Sequence, residues 1–300
     1  HQKLLLMIIF ALVIIIAADA GYWLHRRFFH KDLRATVLDV GQGHASLLEF
    51  PGGRTMLIDG GGFSDNSVFD VGARIVAPFL WQNKIRTIDT VVLSHPDADH
   101  LNGLLFILEN FRVRQVISAS TDAQGKACQQ FDRIIRDRQI PHPDFEDIER
   151  VRQIHNTKIR ILYPEQKRKT RCERCSGTNN CSVVIKACYQ GRSLLFPGDL
   201  EKCGESVLIK QAGRELGADI LIAPHHGSKS SSGREFIAAV DPDMVIMPVR
   251  QSYQGLPSPE VVERYRQQGC RVMRTDLHGA VRIGIDAEGG MEIQPTIGGK

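Results

Sequence analysis

The sequence predicts an α/β fold: two mixed β-sheets packed together with helices outside, preceded by one transmembrane helix. Three observations predict it. The N-terminus is an unbroken apolar run, strand-type and helix-type runs alternate after residue 31, and three strand runs end in metal-capable side chains.

The run "LLLMIIFALVIIIAADAGYWL" extends from Leu4 to Leu24 with Asp19 as its one charge. As a helix it reaches about 30 Å, the thickness of a bilayer's hydrocarbon core. Tyr22 and Trp23 stand where an interfacial aromatic belt would, and "HRRFFHK" follows as a polar stop. A cleaved signal peptide is the rival, because Ala18-Asp19-Ala20 has the small-x-small pattern. The length of the run and the start at His1 favour a spanning helix from a longer polypeptide, cut just before its last span. Residues 1–30 are therefore expected to be the membrane helix with its basic flank, and residues 31–300 one large domain.

In that domain, "RATVLDV", "ASLLEF" and "TMLIDG" read as successive strands, the last two joined by "PGG". Residues 71–82 suit a helix. "TVVL" is a short buried strand, and "HLNGLLFILENF" has helical periodicity. Residues 121–180 read as polar and irregular apart from a helix at 127–138. "SVVIKACY" and "SLLFPGD" then pair across "QGR". Two strand–helix units follow, "DILIA" with "SSSGREFIAAV" and "DMVIMP" with "SPEVVERYRQQG". The formal net charge of +4 permits an anionic partner without demanding one. Seven cysteines are too few for a disulfide scaffold. Cys172, Cys175 and Cys181 are close enough to pair or bind metal, and unpaired thiols are the favoured reading.

The chemistry concentrates at strand ends. After "TVVL" come His95, Asp97, Asp99 and His100, whose spacings suit neither helix nor strand but can converge in a loop stiffened by Pro96. Four nitrogen and oxygen donors in one turn are a natural half-share of two adjacent ions. "LLFPGD" exposes Asp199 at a sheet edge, and "DILIAPHHGSKSSSG" ends a strand in His225-His226.

The order of "VLDVGQGHASLLEFPGGRTMLIDGGG", "SHPDADHLNG", "NNCSVVIKACYQGRSLLFPGD" and "APHHGSKSSS" resembles the metallo-β-lactamase superfamily, and within it the C-terminal domain of ComEC-type DNA-internalisation competence proteins. The resemblance covers residues 33 to about 285. It implies the αβ/βα sandwich and a site for two divalent ions, Mn²⁺ or Zn²⁺, with Mg²⁺ compatible. His95 and Asp97 would bind one ion and Asp99 and His100 the other. Asp199 would bridge them and His226 would complete the set, with His225 the runner-up. Asp59 would brace the histidine loop with Asp39 nearby. Asp97 departs from the superfamily's second histidine, and Asn180, Cys181 and Ser182 stand where another histidine is usual. His44 replaces the acidic residue common after "VGQG". A carboxylate-rich site shifts preference toward harder ions than Zn²⁺.

The implied activity is a metal-dependent phosphodiesterase that degrades the non-transported DNA strand, with Asp99 and Asp199 orienting the nucleophile and His225 protonating the leaving oxygen. Ser228, Lys229 and Ser230 would meet phosphates, with an ordinary helix cap and a solvated lysine as the equal alternative; Lys167, Arg168, Lys169, Arg171 and Arg174 could follow a nucleic-acid backbone, although a solvated charged face is the favoured reading of such a run. The implied partners are DNA, the membrane and the remainder of a polytopic channel, without a nucleotide cofactor. The basic flank argues for a cytoplasmic domain, whereas a nuclease that meets incoming DNA belongs on the extracytoplasmic side, the placement favoured. A hydrolase of small esters, lactams or phosphodiesters remains open, as does a degenerate DNA-binding or scaffold domain.

Overall fold

The computed structural model describes residues 2–119, 125–165, 175, 177–250 and 255–298. An apolar helix, Gln2–Phe28, buries none of its residues and is long enough to be a candidate membrane span, with a mean hydropathy of 2.8 over an 18-residue stretch. His25, Arg26 and Arg27 occupy its last turn, where cations offset the partial negative charge of the unpaired carbonyls. One of those carbonyls, Arg26 O, accepts a hydrogen bond from Arg34 Nη1 at 3.3 Å, which ties the helix to the first strand.

Two seven-stranded mixed sheets follow. The first runs in the order Met291–Pro295, Val281–Ile285, Leu33–Val37, Ser46–Glu49, Thr55–Ile58, Thr90–Leu93, Val116–Ser118. The second runs Arg271–Arg274, Met244–Met247, Ile220–Ile222, Arg192–Phe196, Val184–Tyr189, Thr157–Tyr163, Val151–Ile154. Strands such as "TVVL" and "MVIM" are apolar on both faces, because each is covered by the facing sheet on one side and by helices on the other. Val37, Leu48, Ile58, Val92, Ile185, Phe196, Ile222 and Ile246 fill the space between the sheets. Helices Ala98–Asn110 and Lys126–Asp137 cover the first sheet, and Lys202–Ala212, Arg234–Val240 and Pro259–Gln267 cover the second. The predicted sandwich with outer helices is the observed architecture.

Three expectations need correction. Residues 151–163 are not irregular but form a hairpin, Val151–Ile154 with Thr157–Tyr163, on the edge of the second sheet. Its signal was present in "TKIRILY", which alternates buried and half-buried residues, and in His155, which takes a φ of 50° in the tight turn. The histidine loop is shorter than predicted: the helix begins at Ala98, so Asp99 and His100 sit in its first turn while His95 and Asp97 precede it. The favoured reading of unpaired thiols fails as well. Cys175 pairs with Cys203, 28 residues away, and Cys181 is also disulfide-bonded; Cys128, Cys188 and Cys270 are free. Cys172 and the basic run at 167–174 lie outside the described residues.

Candidate metal centre

The site gathers at the edge of the two sheets where several strands end together. Thr90–Leu93 leads to His95, Arg192–Phe196 leads through a Pro-Gly turn to Asp199, and Ile220–Ile222 leads to His225 and His226. Gly198, at φ 59°, makes the turn that delivers Asp199; a Cβ there would meet Ser182 and Ser94 at 2.8 and 3.0 Å. Ser182 Oγ accepts the Asp199 N–H at 3.0 Å and fixes the carboxylate's approach.

Asp199 is the hub. One oxygen lies 3.1 Å from His100 Nε2, and the other lies 3.5 Å from His226 Nε2, 3.9 Å from His95 Nε2 and 3.9 Å from His225 Nε2. Asp99 Oδ2 approaches His226 Nε2 at 3.3 Å, and the Nε2 atoms of His100 and His226 face each other at 3.3 Å. Donor atoms of Asp99, His100, Asp199 and His226 all lie within 4.8 Å of one another, a spacing at which one cation could be held. A second group adjoins it. His95 Nε2 is 3.7 Å from Asp97 Oδ2, and Thr178 Oγ1 donates to the other Asp97 oxygen at 2.8 Å.

Outer contacts orient each imidazole. His226 Nδ1 donates to Pro248 O at 2.9 Å, and His100 Nδ1 donates to Asp59 Oδ2 at 2.8 Å. His95 Nδ1 meets Ser94 Oγ at 3.0 Å. Each ring thus spends Nδ1 on the protein and turns Nε2 toward the carboxylates, which is how metal-ligating histidines are commonly held. His95 Nε2 is fully buried without a hydrogen-bond partner, an arrangement that costs free energy unless something else occupies that nitrogen. These residues therefore fit a pair of divalent cations.

The charges agree. Burial opposes any charge here, yet the carboxylates of Asp199 and Asp99 outweigh it and hold His226 up at about 10. His100 is likewise raised well above its ordinary value by Asp199 and Asp59. Burial would raise Asp99, but the hydrogen bond from His226 and the charges of both imidazoles bring it down to about 2. Burial and the nearby His100 charge depress His95 to about 4.

Asp59 is completely buried. It accepts Ser94 N–H on one oxygen at 2.7 Å, and Ser94 Oγ, His44 Nδ1 and His100 Nδ1 on the other. His44 completes the chain through Nε2, 2.7 Å from Ser46 Oγ. The sequence flagged His44 only as a departure; its bond to Asp59 closes the open end of the hairpin formed by Ser46–Glu49 and Thr55–Ile58. Asp39 stands apart. Its carboxylate accepts Gly41 N–H at 3.2 Å and, among the described residues, makes no hydrogen bond or ion pair with the cluster.

His226 takes the place at the hub, while His225 is half-exposed at the rim, its Nδ1 3.0 Å from Ser230 Oγ and 3.5 Å from Glu201 Oε1. Ser228 Oγ lies 3.1 Å from Ser230 Oγ, and Lys229 is exposed beside them. Just ahead of the helix that follows, the Glu205 carboxylate accepts Ser232 N–H and Gly233 N–H at 2.5 and 2.9 Å and fixes the end of this loop. Asn180, one of the residues where a histidine is usual, points elsewhere: its Oδ1 accepts Glu201 N–H and Gly204 N–H at 3.2 and 3.1 Å.

Comparison with known proteins agrees with this geometry. The profile of the Metallo-beta-lactamase superfamily matches residues 38–247. The chain is 27% identical over 259 residues to ComE operon protein 3 of Bacillus subtilis, covering 82% of this chain and 32% of that protein. It is 28% identical over 271 residues to Competence protein ComA of Neisseria gonorrhoeae, covering 88% and 34%. The chain thus spans about a third of the length of these relatives. Among solved structures, it resembles the metallo hydrolase Igni18 of Ignicoccus hospitalis (TM-score 0.53, 14% identity, covering 84% of this chain and 98% of that one). It also resembles the diiron beta-hydroxylase CmlA of Streptomyces venezuelae (TM-score 0.52, 15% identity, covering 84% and 54%). At these identities the two structures speak for the fold alone.

Proposed function

The chain belongs to the Metallo-beta-lactamase superfamily, and from its site we propose that it is the nuclease part of a membrane DNA-uptake protein, a divalent-metal phosphodiesterase that degrades the non-transported strand. The observation that carries this is the convergence of His95, Asp97, Asp99, His100, Asp199 and His226 with every imidazole Nε2 turned to a carboxylate. Competence relatives supply the expectation of DNA.

His95, Asp97 and Asp199 would hold one ion; Asp99, His100, Asp199 and His226 would hold the other. Divalent ions held there would supply activation of a water and neutralisation of phosphoryl charge. Asp99 and Asp199 would orient the attacking water. Half-exposed His225, steadied by Ser230, is placed to give a proton to the leaving oxygen. Lys229, Ser228 and Ser230 then meet the adjacent phosphates.

The purified chain in detergent, offered DNA and small esters in parallel, tests this reading. DNA cleavage should require added divalent metal, with Mn²⁺ restoring more activity than Zn²⁺, because Asp97 leaves the first site short of nitrogen ligands. Cleavage of esters alone would mean that the substrate is misassigned. Tight DNA binding without cleavage under any metal would favour a non-catalytic channel domain.

We place the domain on the extracytoplasmic side of the inner membrane. The Cys175–Cys203 disulfide supports this, since cytosolic thiols are kept reduced. Protease added to intact spheroplasts should cut the domain, and protection until lysis would reverse the placement. Reduction should lower stability by at least about 3.5 kcal/mol in urea unfolding, the value expected for closing this 28-residue loop alone.

A further inference from the structure

At the foot of the apolar helix lies a cavity of about 580 Å³, bounded by Trp23 and Arg27 of the helix, Arg34 and Glu49 of neighbouring strands, and Arg282. It stands at the edge of the first sheet away from the metal centre: Glu49 pairs with Arg34 there, whereas Ser46, which contacts His44, pairs with Val37 further along. Trp23 has Arg26 at 5.2 Å and Lys84 at 5.4 Å from its ring, the setting of an interfacial tryptophan.

Among the described residues, two groups in this cavity are without a hydrogen-bond partner: Arg27 Nη1, which is buried, and the half-buried Glu49 carboxylate, on which Arg34, Arg27, Arg26 and Arg282 act as nearby charges. Two of the neighbouring arginines are committed elsewhere: Arg34 holds Asp32 at 3.1 Å and Arg26 O, and Arg26 donates to Tyr22 Oη at 3.2 Å. A solvated ion pair would be expected to close. Here both groups line the same cavity and, among the described residues, no ion pair joins them, which suits a ligand carrying both signs. Burial keeps Glu49 above the usual carboxylate range despite four arginines, as expected of an anion with no close partner.

We propose that this cavity binds the headgroup of a zwitterionic phospholipid with a primary amine, its phosphate on Arg27 and its ammonium on Glu49. The inference rests on reading Gln2–Phe28 as a membrane span, which sets the cavity at headgroup depth. A guanidinium fork matches a phosphate, and three N–H donors of a primary ammonium can satisfy a carboxylate, whereas a quaternary ammonium has none to give.

The test is lipid retention by the full chain in detergent micelles doped with phosphatidylethanolamine, phosphatidylcholine or phosphatidylglycerol, read by native mass spectrometry. Phosphatidylethanolamine should be retained about tenfold over phosphatidylcholine, the value of one charged hydrogen bond. Glu49→Gln should erase that preference while phosphate-dependent retention persists, and Arg27→Met should weaken retention of all three lipids. Thermal unfolding of both variants controls for folding. Equal retention of the three lipids by the unaltered chain would overturn the proposal, as would an unchanged preference in Glu49→Gln or full competition by inorganic phosphate. Vesicle flotation separates the premise: a chain that fails to float with vesicles refutes the membrane reading itself.

Discussion

Asp199→Ala should abolish phosphodiester hydrolysis, by about a thousandfold or more, and should strip both metal positions together. No other side chain of the cluster lies between both groups: its two oxygens face His95, His100, His225 and His226 within 3.9 Å. Removing it leaves four imidazoles converging with no central anion, so neither ion would keep its ligand count. Asp99→Ala, which touches His226 alone among the histidines, should instead spare the His95–Asp97 position and much of the DNA binding while stopping turnover. Metal per chain measured by mass spectrometry, beside single-turnover cleavage, separates the two variants. Equal metal content in Asp199→Ala and the unaltered chain would refute the bridging role. The sign of the pH effect is fixed by the same residue. His226, held at about 10, carries a proton at neutral pH in the metal-free protein, and His100 is shifted in the same direction. Cations must displace protons held by these rings, so binding should release protons and tighten as pH rises. Titration calorimetry in buffers of different ionisation enthalpy reads the release, which should shrink in Asp199→Ala.

Gly43→Ala should destabilise the protein by about 3 kcal/mol or more and distort the site, although the residue touches no candidate ligand side chain by hydrogen bond. Gly43 has a φ of 110°, and a Cβ there would lie far inside contact distance of the Asp99 carbonyl oxygen. That oxygen accepts His44 N–H at 3.1 Å, and Gly61 N–H donates to His44 O at 2.7 Å, so three segments meet at this point. Displacing Asp99 from Gly43 would drag the first turn of its helix, and with it His100. Gly191→Ala is the control. It has a φ of 78° with nothing within 4 Å of its Cβ, so it should cost only about 1 kcal/mol of backbone strain. Urea unfolding and metal affinity should therefore separate the two variants, and equal effects would remove the clash as the cause.

Much was legible in the primary structure because the site is built from strand ends, and strand ends are marked by local chemistry. Apolar runs such as "TVVL", "SLLF" and "DILIA" end at "SHPDADH", "PGD" and "PHHG", so each metal-capable group announces its place by what precedes it. The membrane-length helix is likewise a one-dimensional property, since length and hydropathy define it. The hairpin at 151–163 was also written there as alternation, but charged residues on its half-buried face made the segment look like loop.

What the sequence by itself determined is therefore the order of elements, the candidate donors and the sandwich they belong to. Only the tertiary structure decided which donors meet, because hydrogen bonds and close approaches across distant segments have no local signature. His225 and His226 are adjacent and chemically identical, and both take left-handed backbone angles, with φ of 49° and 53°. Pro248 O, at the end of the neighbouring strand, selects His226 for the interior and leaves His225 at the rim. In the same way Cys175 finds Cys203 across 28 residues, and His44 and His100 share Asp59. Each choice depends on the packing of two sheets, and that packing places side by side groups which the chain holds far apart.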